Sequence, residues 1–101
     1  MRTLKELVKN EKKVYVYLAT KALRYRFVSD AEREGITYSD GKAPTSREAE
    51  DYMSLKAYKT ICFLGLVGHI ALLNNAVPVV DYEKYIDGET GYLSYGRIKR
   101  K

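Results

Sequence analysis

Cys62 and His69 are each the only residue of their type, so any nucleophilic or metal chemistry would have to start from them. A Cys–His pair acts as a nucleophile only when the two side chains are within hydrogen-bond reach and the setting favours thiolate. Cys62 sits in the apolar run Ile61-Cys62-Phe63-Leu64, where a cysteine behaves as a small hydrophobe. His69 reads as a half-buried residue bonded to a neighbour. One Cys and one His also fall short of the usual zinc ligand set. Between them, Gly65-Leu66-Val67-Gly68-His69 has the look of a phosphate loop. Such a loop needs backbone N–H groups at a helix start, usually with Gly-Lys-Ser/Thr. There is no such Lys here, and the flanks read as strands. The segment is predicted to be a bend between two strands, with Gly65, Gly68 and His69 as a candidate small-ligand pocket. Carboxylates gather at Glu48, Glu50 and Asp51 and again at Asp87 and Glu89. Capping and the helix dipole account for acids at helix starts, and the spacing matches no calcium loop. No catalytic residue, metal site or cofactor is predicted, and the chain is expected not to be an enzyme.

Basic residues interleaved with tyrosine offer a different chemistry. Lys21, Arg24 and Tyr25 on a predicted helix, with Arg97, Lys99, Arg100 and Lys101 at the end of the chain, could pair phosphates and stack bases. The net charge is +5, and those last four residues carry most of it, so the remaining body is close to neutral. Asp30, Glu32 and Glu34 also share the predicted helix, and no recognised nucleic-acid motif is present. The chain has ten Tyr, two Phe and no Trp. Tyr suits half-buried surfaces and interfaces, which predicts a thin core rimmed by Tyr.

The elements that must position these residues follow from pattern. Thr3 caps a short helix over residues 3–9, with Leu4, Leu7 and Val8 on one face. Val14-Tyr15-Val16-Tyr17-Leu18 alternates and is partly apolar on both faces, which predicts a central strand. Thr20 caps a second helix running to Glu34, with Gly35 just beyond it and Leu23, Phe27 and Ala31 as its packing stripe. Ile36-Thr37-Tyr38 reads as a strand, completing a β-α-β unit. Asp40-Gly41 marks a turn, and Thr45 with Glu48 has capping-box spacing. Residues 51–58 fit neither pattern. Lys59 to Leu64 reads as a strand with Ile61 and Phe63 on one face, and Ile70 to Leu73 as its resumption after the bend. Asn74-Asn75 then forms a hairpin turn, and Val77 to Val80 pairs back as an edge strand because Pro78 has no N–H to donate. Tyr82 to Ile86 is a short helical turn. The expected fold is α+β: a mixed sheet of four or five strands with one main helix packed on a face. Residues 1–86 form the single domain, and residues 87–101 a flexible basic appendage.

A chain of 101 residues suits one domain with a modest core. A lone cysteine fits a reducing compartment. The N-terminus lacks a signal-peptide pattern, and the longest apolar region, Ile61 to Leu73, is too short to span a bilayer. A cytoplasmic protein with no membrane partner is expected.

Three stretches together carry a resemblance: Asp40-Gly41-x-x-Pro44-Thr45, then Thr60 to Ala71 around Gly65-Leu66-Val67-Gly68-His69, then Val80-Asp81-Tyr82-x-Lys84-Tyr85. They resemble small uncharacterised proteins of phages, prophages and conjugative elements of Gram-positive bacteria. The resemblance covers residues 3–86 and implies a setting rather than an activity. With the absent catalytic constellation and the Tyr-rich composition, that setting leads by analogy to the expectation of a non-enzymatic binding protein of a phage or mobile element that modulates or inhibits a host protein, such as a component of a defence system. Two alternatives stand beside it: a small DNA- or RNA-binding protein using the basic tail and second helix, and a small-ligand or nucleotide sponge. Homo-oligomerisation through the Val77 to Val80 edge is a further expectation.

Overall fold

Alternation in Lys13–Tyr17 sends Val14 and Val16 to one side and Tyr15 and Tyr17 to the other, and both sides are covered. That strand, β1, anchors the computed structural model, which describes residues 2–8, 13–57, 59–75 and 77–95. The other elements are α1 (Leu4–Leu7), α2 (Lys21–Arg33), β2 (Thr37–Tyr38), a 3-10 turn (Pro44–Ser46), β3 (Tyr52–Lys56), β4 (Thr60–Phe63), α3 (Gly65–Leu73), β5 (Pro78–Asp81), α4 (Tyr82–Ile86) and β6 (Leu93–Tyr95). Both early helices start as their caps dictate. Thr3 Oγ1 accepts from Glu6 N, and Thr20 Oγ1 accepts from Leu23 N. Gly35, with φ of 77°, turns the chain just past the end of α2.

The fold is α+β, built on one mixed sheet of six strands in the order β2-β4-β3-β1-β5-β6. β1 is central and runs antiparallel to β3 and parallel to β5. β3 and β4 are antiparallel, β2 and β4 parallel, and β5 and β6 antiparallel. Strands β1, β2, β4 and β5 therefore all point one way. Helix α2 connects β1 to β2, and α3 connects β4 to β5 in the opposite direction across the sheet. The two helices lie on opposite faces, so both crossovers have the same hand.

The faces are unequal. On one, α1, α2 and α4 cover Val14, Val16, Met53, Leu55, Ile61 and Val80, and Phe27 and Ala31 are fully buried there. On the other, α3 alone covers Tyr15, Tyr52 and Val79 with Leu64 and Leu72. Tyr15, Tyr38, Tyr52, Tyr82 and Tyr85 are all buried. Much of the tyrosine is thus core rather than rim. Two of the tyrosine hydroxyls reach polar partners at the core's edge, Tyr82 Oη donating to Asp30 and Tyr85 Oη to Thr3 O, whereas the buried Tyr38 hydroxyl has no hydrogen-bond partner among the described residues.

Several expectations are corrected. The sheet has six strands rather than four or five, and a second helix, α3, covers its other face. Residues 65–73 are helix, not a bend followed by strand. The run from Ile61 to Leu73 is apolar apart from its two glycines and His69, so periodicity does not separate strand from buried helix there. β4 ends at Phe63, Gly65, at φ of 65°, opens α3, and Asn75, at φ of 56°, follows the Asn74 C-cap of α3 instead of turning a hairpin. Pro78 begins β5, which lies between β1 and β6 and is not an edge. Its missing donor falls at the first residue of the strand, where proline is tolerated. The edge pairing of two copies expected at 77–80 has no free edge to use. β2 pairs with β4, two strands away from β1, so the β-α-β unit is split. The Thr45 hydroxyl bonds Glu32 rather than capping with Glu48, and only a 3-10 turn forms there. Residues 52–56, unassigned by pattern, are β3. Within the segment expected as an appendage, Leu93–Tyr95 is strand β6 of the sheet. The linking residues before it are held by Arg2, which donates to Tyr85 O, Gly88 O and Glu89 O and stacks 5.0 Å from the Tyr92 ring.

Candidate functional site

Two surfaces stand out, on opposite sides of the sheet. The first is a groove along the N-terminal half of α2. Lys21, Arg24, Tyr25 and Val28 recur at i, i+3, i+4 and i+7, which aligns them on one helix face. The opposite wall is the segment 45–49, which follows buried Pro44. Glu32 ties that wall to the helix, accepting from Thr45 Oγ1 at 2.7 Å and Thr45 N at 3.3 Å. The resulting cavity has a volume of about 300 Å³, at the lower end of the range for small-molecule sites.

The two arginines of the groove are held in place by groups outside it. Arg24 Nε donates to Leu18 O at 3.2 Å. Arg47 Nη2 donates to Asp40 Oδ2 at 2.6 Å, and its guanidinium lies 4.8 Å from the Tyr38 ring centroid. The hydrogen bond from Arg47, then that from Lys42 N, holds the Asp40 carboxyl below the usual carboxylate range. Tyr25 is 70% exposed. Acids elsewhere on α2 are engaged in the fold. Asp30, nearly fully buried, accepts from Arg26 at 3.0 Å, Arg33 at 2.6 Å and Tyr82 at 2.5 Å. Burial, then the Asp30 bond, pushes the Tyr82 hydroxyl well above the ordinary tyrosine range. Glu34 accepts from Leu4 N at 2.9 Å and Lys5 N at 3.1 Å, fastening the start of α1.

The second surface is the outer face of α3. Leu66, Val67, Ile70 and Leu73 are 77%, 81%, 48% and 69% exposed. Residues 66, 70 and 73 fall at i, i+4 and i+7, and no charged residue occurs from Gly65 to Leu73. Gly68 packs tightly on the Leu64 N-cap one turn back: a Cβ there would lie 2.9 Å from Leu64 Cβ and in ordinary contact, 3.5 Å, with the Tyr15 hydroxyl.

The structure therefore unites Lys21, Arg24 and Tyr25 in one groove. Arg97, Lys99, Arg100 and Lys101 lie outside the described residues. Gly65, Gly68 and His69 sit on α3 and do not line the groove. Cys62 pairs with Ser39, Sγ to Oγ 2.9 Å, rather than with His69. Among the described residues no group of three His, Cys, Asp or Glu is placed to hold a metal ion, and no helix is long and apolar enough to cross a membrane. Sequence reasoning missed Arg47 as a wall residue, since its contact with α2 is purely tertiary. It also missed the α3 face, whose 66–70–73 spacing in a charge-free stretch was the available signal. Compared with protein-family models, curated proteins and solved structures, the chain matches none of them.

Proposed function

We propose that this chain is a non-enzymatic binding protein of a phage or mobile element that modulates or inhibits a host protein, docking through the outer face of α3. The observation that carries the docking surface is the charge-free exposed row Leu66, Ile70 and Leu73, widened by Val67. A helix that is apolar all round is ordinarily buried, and contiguous exposed apolar surface marks interaction sites. Anchors at i, i+4 and i+7 are those a helix lays into an apolar cleft of a partner. The partner implied is a protein with such a cleft, depleted of charge at its centre. The mobile-element setting rests on the resemblance of residues 3–86 alone.

The test is capture from nuclease-treated Gram-positive lysate by the wild-type chain and by Leu66→Asp and Leu73→Asp. Both positions are exposed, so each variant should keep its stability within about 0.5 kcal/mol. Support is a stoichiometric partner that both variants lose, with light scattering showing the free wild type monomeric. Retention of the partner by both variants, or a dimer of the chain that they dissolve, overturns the reading. So does substrate turnover that His69→Ala abolishes.

A further inference from the structure

Helix α2 begins with the charge its own dipole disfavours, although Arg33 in its last turn stands on the favoured side. Its first turn holds no acid and instead presents Lys21, with Arg24 one turn on. Its acids lie in the second half, where the dipole disfavours them. Those acids have structural reasons to be there: Asp30 receives Tyr82, Arg26 and Arg33, Glu32 holds the opposite wall, and Glu34 fastens α1. No comparable reason covers the basic end. Among the described residues Lys21 has no ion pair, and Arg24 makes a single hydrogen bond, through Nε to a backbone carbonyl, which orients the guanidinium and leaves its two terminal nitrogens as donors. Cations beside a helix N-terminus that Thr20 caps but no first-turn acid neutralises favour an anion there. They line a formed groove, together with the exposed ring of Tyr25 on the same helix face and, on the far wall, Arg47 paired with Asp40.

From this juxtaposition we infer that the groove binds a nucleoside phosphate. The phosphate lies against Lys21 and Arg24 at the start of α2, the base stacks on Tyr25, and Glu48 on the opposite wall is an acceptor for ribose hydroxyls. The ligand is either a free nucleotide or one unit of a single strand, which share this chemistry. The site lies on the α2 face of the sheet and is independent of the α3 face, so each stands or falls without the other.

The test follows amide shifts of the full chain during titration with adenosine diphosphate, inorganic phosphate and a short single-stranded oligothymidylate. The diphosphate should shift amides of residues 21–28 and 45–49 and bind at least about tenfold more tightly than phosphate, the increment of one stacked base. Lys21→Glu should weaken both by about tenfold or more, the loss of one charge-assisted contact. Tyr25→Ala should weaken the diphosphate and leave phosphate unchanged. Both side chains are exposed, and matching melting temperatures confirm that the variants fold. Oligothymidylate binding with a steep salt dependence identifies a strand as the source, and its absence identifies the free nucleotide. The inference is overturned if neither nucleotide nor oligonucleotide shifts these amides, if phosphate binds as tightly as the diphosphate, or if Lys21→Glu and Tyr25→Ala leave affinity unchanged.

Discussion

Tyr82→Phe removes one oxygen from a buried polar contact between distant parts of the chain. The Tyr82 hydroxyl donates to Asp30 Oδ2 at 2.5 Å, and both residues are almost fully buried. The substitution keeps the ring, so its edge-on contact with Phe27 at 5.5 Å and its stacking with Tyr85 at 6.3 Å persist. A hydrogen bond to a charged acceptor contributes about 1.5–3 kcal/mol. Arg26 and Arg33, both half exposed, continue to satisfy Asp30, which places the loss near the lower end, about 2 kcal/mol. With an unfolding entropy of roughly 2.1 cal/mol/K per residue, that lowers Tm by about 10 °C for a chain of this length. The pH dependence supplies a second readout. Burial and Asp30 raise the Tyr82 pKa in the folded state, so folding keeps a proton that the unfolded chain releases near pH ~10. The contribution is fully present below that pH and is lost as pH rises further, at about 1.4 kcal/mol per pH unit. Tyr82→Phe should flatten the alkaline limb by that slope, while Tyr85, pushed up to about 12 mainly by burial, keeps its own. Urea unfolding followed by circular dichroism, at neutral pH and in steps above pH ~10, measures both. A variant that melts within about 2 °C of wild type and retains the full alkaline slope would refute the assignment.

Gly68→Ala should destabilise the chain by about 1 kcal/mol, because overpacking against Leu64 Cβ, about 1–3 kcal/mol, outweighs a helix-propensity gain near 1 kcal/mol. A rise in the urea midpoint would contradict the tight packing of Gly68 against Leu64. Arg47→Ala should return the Asp40 titration upward toward the ordinary carboxylate range, read by carboxyl-carbon NMR. Because the folded pKa of Asp40 is depressed, the stability it contributes is present above the unfolded value near ~4 and is lost as pH falls through the folded one. An unchanged Asp40 midpoint in Arg47→Ala would remove Arg47 as the cause.

Local chemistry was legible from the sequence. Thr3 and Thr20 cap α1 and α2 where the pattern placed them, Gly35 ends α2, and the Val14-Tyr15-Val16-Tyr17 alternation builds a central strand. Each depends on hydrogen bonds or φ preferences within a few residues, so composition and spacing suffice. The Lys21, Arg24 and Tyr25 face was legible for the same reason, as one side of one helix. Its conversion into a groove required Glu32 to hold Thr45, a contact thirteen positions apart. The strand-or-helix choice for 65–73 was not local either. A mostly apolar run satisfies both periods, and as a helix over residues 65–73 it carries the chain from β4 to parallel β5 across the face that holds Tyr15. Likewise, Pro78 alone implies an edge, but β6 arrives from residues 93–95 to flank it. What the sequence by itself determined was which segments start, stop and alternate. Tertiary structure decided strand order, the burial of the tyrosines and which apolar face of α3 is left in water, because those depend on contacts between residues far apart in the chain.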